Sequence, residues 1–158
     1  MKKLIFSVLF VALAFGAQAQ RKGEAQKPEG YKITDKDCVE VTSVKDQSRS
    51  GTCWSFSGTA FLESEILKNG GEVVDLSEMW IVRHCYEQKA EKFVRLHGML
   101  NFGQGGATHD VMNAIEEFGI VPEEVYRGLN YGSEKHNHYE VDALLRGYLE
   151  GVVKQKTL

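Results

Sequence analysis

The chain has 158 residues, 42% apolar and 26% charged, enough to bury one modest core and too apolar for wholesale disorder. Its formal charge of −3 arises from scattered acids and bases without a basic footprint, so no nucleic-acid partner is expected. Three cysteines, Cys38, Cys53 and Cys85, are an odd number, so at least one thiol stays outside any disulfide within the chain.

Lys2-Lys3, the apolar run Leu4 to Phe15 and Ala17-Gln18-Ala19 form the three parts of a secretory signal over residues 1–19, with cleavage expected near Ala19. The run is short for a membrane span, so the expectation is an exported protein, periplasmic or secreted, with no stable membrane insertion. Residues 20–37 are polar, carry Pro28 and Gly30, and read as an extended lead-in. Cys38-Val39-Glu40-Val41-Thr42 alternates and predicts a short strand.

The segment Ser43–Phe61 carries the chemistry. Thr52 is a candidate N-cap, and Trp54, Gly58, Phe61, Leu62 and Ile66 recur at helical spacing until Asn69-Gly70-Gly71 stops the pattern. Cys53 therefore falls on the first turn of a helix, where unpaired N–H groups favour the thiolate that a nucleophile needs. Six residues upstream, the Gln47 amide can donate towards the oxygen of a carbonyl attacked by that sulfur. One such donor is worth roughly a hundred- to a thousandfold in rate, and the Cys53 N–H would be the second. A lone cysteine before an apolar helix is ordinarily a small buried hydrophobe. Gln47, Gly51 and Trp54 at their offsets argue against that here.

The spacing Q-x5-C-W-x-F resembles the active-site segment of papain-like cysteine peptidases. The resemblance covers roughly Val44 to Tyr126 and implies that Cys53 is the nucleophile, Gln47 an oxyanion donor and Trp54 a structural neighbour of the site. Leu76-Ser77-Glu78 looks like the opening of that family's second helix, with Ser77 as N-cap, and the pattern predicts a helix from Glu78 to about Leu100. The glycine-rich turn Asn101–Gly106 resembles the family's cleft lining. Gly105 and Gly106 would meet the substrate backbone, and Ala107 and Thr108 would border a side-chain pocket. Thr108 is then expected to cap a helix burying Val111, Met112, Ala114, Ile115 and Phe118 and ending at Gly119. From Asn137 to Leu158, an apolar stripe of Val141, Leu144, Leu145, Tyr148, Leu149, Val152 and Val153 predicts a further helix.

Three features resemble the bleomycin hydrolase and aminopeptidase C branch: the long second helix, the Gly119-Ile120-Val121-Pro122 exit, and Ser50 and Gly103 where papain has disulfide-forming cysteines. The lead-in is too short for the inhibitory prosegment of papain-like zymogens. Members of the branch assemble as hexamers that trim amino-terminal residues, so a homo-oligomer acting on peptides is implied for the full-length enzyme.

The family's histidine and asparagine lie on the order of 130 to 150 residues beyond the cysteine, farther than this chain runs. None of His84, His97, His109, His136 and His138 fits the histidine's place. His136 and His138 read as surface residues, and two such ligands alone do not make a metal site, so no metal and no cofactor are expected. The expected fold is α+β, papain-like, represented mainly by the helical left domain, with the right β domain missing. Its parts are a signal over 1–19, a lead-in over 20–37, the left domain over 38–130 and the start of a truncated helical insertion over 131–158. The implied function is cysteine-type peptide hydrolysis through a thioester. The alternatives are a non-catalytic peptide-binding fragment or pseudopeptidase and, without a second cysteine near Cys53, the weaker thiol redox protein.

Overall fold

A computed structural model describes residues 30, 31, 34, 38–130 and 132–155. The signal segment lies outside these residues, as does the lead-in except for exposed residues 30, 31 and 34, which form no regular structure. The described residues from 38 to 155 form one contact unit.

Four helices make up the described fold: α1 (Cys53–Lys68), α2 (Glu78–Arg95), α3 (Thr108–Phe118) and α4 (Tyr139–Lys154). α1, α2 and α3 pack against one another, and α4 packs on α2. The main core joins Trp54 of α1 to Met79, Ile81, Val82 and Cys85 of α2 and Val111 and Ala114 of α3. Gly58 lets α1 and α3 approach closely, because a Cβ there would come 2.7 Å from Val111 Cγ2. A second cluster of Phe93, Phe102 and Leu149 seats α4 on the C-terminal half of α2. Among the described residues none of the helices is long and apolar enough to cross a membrane.

No strand forms among the described residues, which contain two isolated bridges, Arg49 with Asn137 and Leu76 with Pro122. The expected strand at 38–42 is thus corrected. The segment is irregular, with Val39 and Val41 exposed. Alternation alone does not make a strand without a neighbour to complete its ladder.

Several boundaries also shift. Ser77 caps α2 as expected, its hydroxyl accepting from Trp80 N at 3.0 Å. The helix ends at Arg95 rather than near Leu100, because His97 (φ 51°) and Gly98 (φ 79°) turn left-handed and Gly98 N donates back to Phe93 O at 2.8 Å. Thr52 precedes α1, but its hydroxyl meets Ser50 Oγ at 2.5 Å instead of capping the helix. Thr108 is the first residue of α3; the cap is Ala107, whose N–H donates to Asp110 Oδ2 at 2.8 Å. Gly119 ends α3 with φ 75°. Phe61, Met112, Leu144 and Tyr148, counted on the apolar faces, are exposed.

Under the core lies an ionic network. Lys45 Nζ contacts Glu63 at 3.1 Å, Asp75 at 2.6 Å and Glu78 at 2.8 Å, and donates to Leu76 O at 3.3 Å. Burial pulls the Lys45 ammonium down, but the bonds to Asp75, Glu78 and Glu63 outweigh it and leave the group raised. Glu63 is fully buried, accepting also from Leu76 N at 2.8 Å and from Thr42 Oγ1. The network ties the approach to the site onto α1 and α2.

Candidate active site

The approach to α1 is held by short-range bonds. Asp46 Oδ1 accepts from Ser48 N at 2.8 Å, letting Ser48 turn left-handed (φ 51°). Ser50 Oγ donates to Gln47 O at 2.8 Å, and both Ser50 and Thr52 are fully buried. Arg49 exchanges backbone bonds with the 136–138 segment: Arg49 N to His136 O at 3.0 Å and His138 N to Arg49 O at 3.1 Å. The missing papain staple is thereby replaced, at Ser50, by hydroxyl bonds.

This framing separates Cys53 from the core. Successive helix residues point about 100° apart. Trp54 is buried, and Cys53, the first residue of α1, is exposed. Cys85 is the internal contrast: it sits buried against α3, and burial followed by the Asp110 charge pushes its thiol up to about 11. All three cysteines are free. Gln47 is half-buried, and its side-chain oxygen is enclosed without a hydrogen-bond partner.

Across from α1, the turn at residues 102–106 reaches Trp54. Trp54 Nε1 donates to Gln104 O at 2.9 Å. Gly106 lies on the indole so tightly that a Cβ would come 2.5 Å from Trp54 Cε2. Gly51, at φ 60°, would place a Cβ 2.8 Å from Gln104 Oε1. The structure thus brings the Gly51–Trp54 stretch and the glycine turn together. Gly105 and Gly106 are exposed, Ala107 is half-buried and Thr108 is exposed.

Sequence reasoning missed the side chains that support this turn. Lys89 on α2 donates to Gly103 O at 3.3 Å and to Gly105 O, and its ammonium lies 5.4 Å from the centre of the Trp54 ring. Arg146 on α4 donates to Phe102 O. Both read as ordinary charged positions on helix surfaces, and no local pattern links them to residues 14 to 44 positions away.

The histidines distribute as follows. His84 stacks on Phe118 with ring centres 4.1 Å apart and meets Glu87 at 3.0 Å. His97 lies in the turn after α2, and His109, the second residue of α3, is exposed. His136 and His138 are half-buried rather than on the open surface, a correction with a plain cause: their strand-like pairing with Arg49 draws them against Phe56 and Tyr86. Burial, then the nearby positive charges of Arg127 for His136 and of His136 for His138, lowers both. They line a cavity of about 600 Å³ between α2 and the 126–145 segment, with Met79, Phe102, Tyr126 and Leu145. Among the described residues no three histidine, cysteine or acidic side chains are grouped to hold a metal ion.

The described residues thus place an exposed cysteine at a helix start, a buried tryptophan beside it and a glycine turn against that tryptophan. Among the comparisons with known proteins, a family model described as papain family cysteine protease matches residues 27–155, and the chain belongs to that family. The cathepsin L-like peptidase of Aedes aegypti is 50% identical over 42 residues, covering 27% of this chain and 12% of that protein. Peptidase 1 of Psoroptes ovis is 35% identical over 114 residues, covering 70% of this chain and 30% of that protein. Human cathepsin L2 is 45% identical over 42 residues, covering 27% of this chain and 13% of that protein. The chain thus spans less than a third of the length of these relatives.

Proposed function

We propose that this chain carries the nucleophile half of an exported cysteine peptidase. The Cys53 thiolate adds to the carbonyl carbon of a peptide bond, and the carbonyl electron pair moves onto oxygen. The Gln47 amide and the Cys53 N–H hold that oxyanion. Collapse breaks the C–N bond, and the amine leaves with a proton from a general acid. Water then adds to the thioester, releasing the carboxylic acid and restoring the thiol. In the papain family the acid–base histidine and its orienting asparagine belong to the β half, so in this proposal they come from that half of a longer protein. Gly105, Gly106, Ala107 and Thr108 dock the peptide.

The observation carrying this reading is the exposed sulfur on the first residue of α1, beside a buried tryptophan. Its test is labelling by a peptide carrying a thiol-directed electrophile. The full-length protein should be modified at Cys53, and Cys53→Ser should not. Equal labelling of the two would favour peptide binding without turnover.

The aminopeptidase branch is the finer proposal, supported by Ser50 and Gly103 in place of the cysteine pair and by the Gly119-Ile120-Val121-Pro122 exit. Cleavage of peptides with a free amino terminus, and failure on the same peptides acetylated, would bear it out. A hexamer by light scattering would accompany it, and loss of residues 1–19 on export would show by intact mass.

A further inference from the structure

We propose that Lys89 is a positioning residue for the peptide-docking turn, holding its carbonyls so that Gly106 keeps its backbone groups free for substrate. The proposal rests on the peptidase reading above. Four consecutive carbonyls in this turn accept from side chains: Phe102 O from Arg146, Gly103 O from Lys89 at 3.3 Å, Gln104 O from Trp54 Nε1 at 2.9 Å, and Gly105 O again from Lys89. Gly106 breaks the series. Its N–H and C=O make no hydrogen bond among the described residues. The turn's carbonyls are thus used up to the residue before the one expected to meet a substrate strand.

The need for an anchor follows from composition. Gly103, Gly105 and Gly106 give this run access to both signs of φ, and an untethered run would spend most of its time in shapes that present no docking edge. One ammonium bonded to carbonyls two residues apart removes much of that freedom. Lysine suits the task because its compact head carries three donors that swivel independently, enough for two carbonyls with one to spare. Bonds from a charged donor are also stronger than neutral ones. The same ammonium lies 5.4 Å from the centre of the Trp54 ring, against which Gly106 packs. Trp54 follows Cys53 in α1, so Lys89 sets the distance between the docking edge and the nucleophile without touching the reacting atoms.

The experiment uses the full-length protein and compares two second-order rates at Cys53, followed by mass mapping of the Cys53 peptide so that Cys38 does not contribute, one for a peptide electrophile and one for iodoacetamide. Iodoacetamide does not read the docking edge, so the ratio isolates it. Lys89→Met is expected to lower the ratio about tenfold or more, the size of losing a charge-assisted hydrogen bond. Where turnover is measurable, the loss should fall mainly on KM rather than kcat. Lys89→Arg, which keeps charge and donors, should recover most of the ratio, and Lys89→Gln, with a shorter neutral donor, should fall between. A Lys89→Met ratio within about twofold of wild type overturns the inference, as does a Lys89→Arg ratio as low as that of Lys89→Met, since both mark a side chain that matters only for packing. Should Lys89→Met fail to fold, the Arg and Gln variants decide by the same ratio. Equal labelling of wild type and Cys53→Ser by the peptide electrophile is a different result, sinking the peptidase reading and with it this one.

Discussion

Lys45→Met is the sharpest test of how the site is held. The ammonium is 21% exposed and contacts Glu63 and Glu78, whose side chains are 0% and 4% exposed. Methionine keeps most of the aliphatic stem, so the loss is charge rather than volume. Glu63 would retain donors from Leu76 N and Thr42, and Glu78 only a long bond of 3.4 Å from Thr59 Oγ1. Removing one member of a buried ion pair costs about 3–5 kcal/mol, because the remaining charge stays desolvated. The surviving donors argue for the lower end, about 3 kcal/mol. In a domain of this size that lowers the melting midpoint by roughly 10 °C or more. Urea and thermal melts of the full-length protein at pH 7 would read it. The double variant Lys45→Met with Glu78→Gln should recover part of the loss, since the carboxylate left with the weakest donor is then gone. A single variant melting within about a degree of wild type would mean that the network is too hydrated to matter, and the reasoning would fail.

Further predictions concern pH, packing and reactivity. Burial, then the charges of Glu78 and Asp75, pushes Glu123 up to about 7, so the folded protein binds this proton more tightly than the unfolded chain does. Its contribution is therefore present below the ordinary carboxylate range and lost as pH rises towards 7. Glu123→Gln should melt higher than wild type at pH 8 by about 1–3 kcal/mol and near equally at pH 4, with parallel melting curves as the check. Gly106→Ala should cost about 1–3 kcal/mol, because the new methyl meets the Trp54 indole at 2.5 Å, and should slow peptide-directed labelling of Cys53; an unchanged labelling rate would detach that glycine from the docking edge. Iodoacetamide should modify Cys38 and Cys53 in the native protein and reach Cys85 only after denaturation, since Cys85 is buried and its thiol is pushed up to about 11; early modification of Cys85 by mass mapping would contradict the packing of α2 on α3. The isolated 20–158 segment should be poorly soluble, because Phe61, Val125, Leu144 and Tyr148 are all more than half exposed. A monodisperse, cooperatively melting preparation would contradict this.

Much of the site could be read along the chain because its parts are local. Cys53 at a helix start, Trp54 one position on and Ser77 capping α2 are matters of spacing, decided within one or two turns of backbone. The glycine stops at Gly70-Gly71 and Gly119 were legible for the same reason. Periodicity identified Val111 and Ala114 on the buried face of α3 but misjudged α1, whose buried positions include Ser55, Thr59 and Glu63 while Phe61 is exposed; Met112, Leu144 and Tyr148 also lie open. Where local rules competed with longer contacts, they lost. Thr52 bonds Ser50 instead of its helix, and the alternating 38–42 segment found no strand to pair with.

What the sequence by itself determined is a set of local placements: a thiol at a helix start, an amide six residues ahead and a glycine turn downstream, all encoded by neighbours in the chain. What only the tertiary structure decided is how those pieces meet. Lys89 and Arg146 clasp the glycine turn, Gly106 packs on Trp54, Arg49 pairs with residues 136–138, and Lys45 neutralises buried acids from two helices. These contacts join residues 14 to 89 positions apart. No short-range pattern encodes such pairings, because they come from helices competing to bury their apolar faces, and polar side chains take whatever partners that packing leaves within reach.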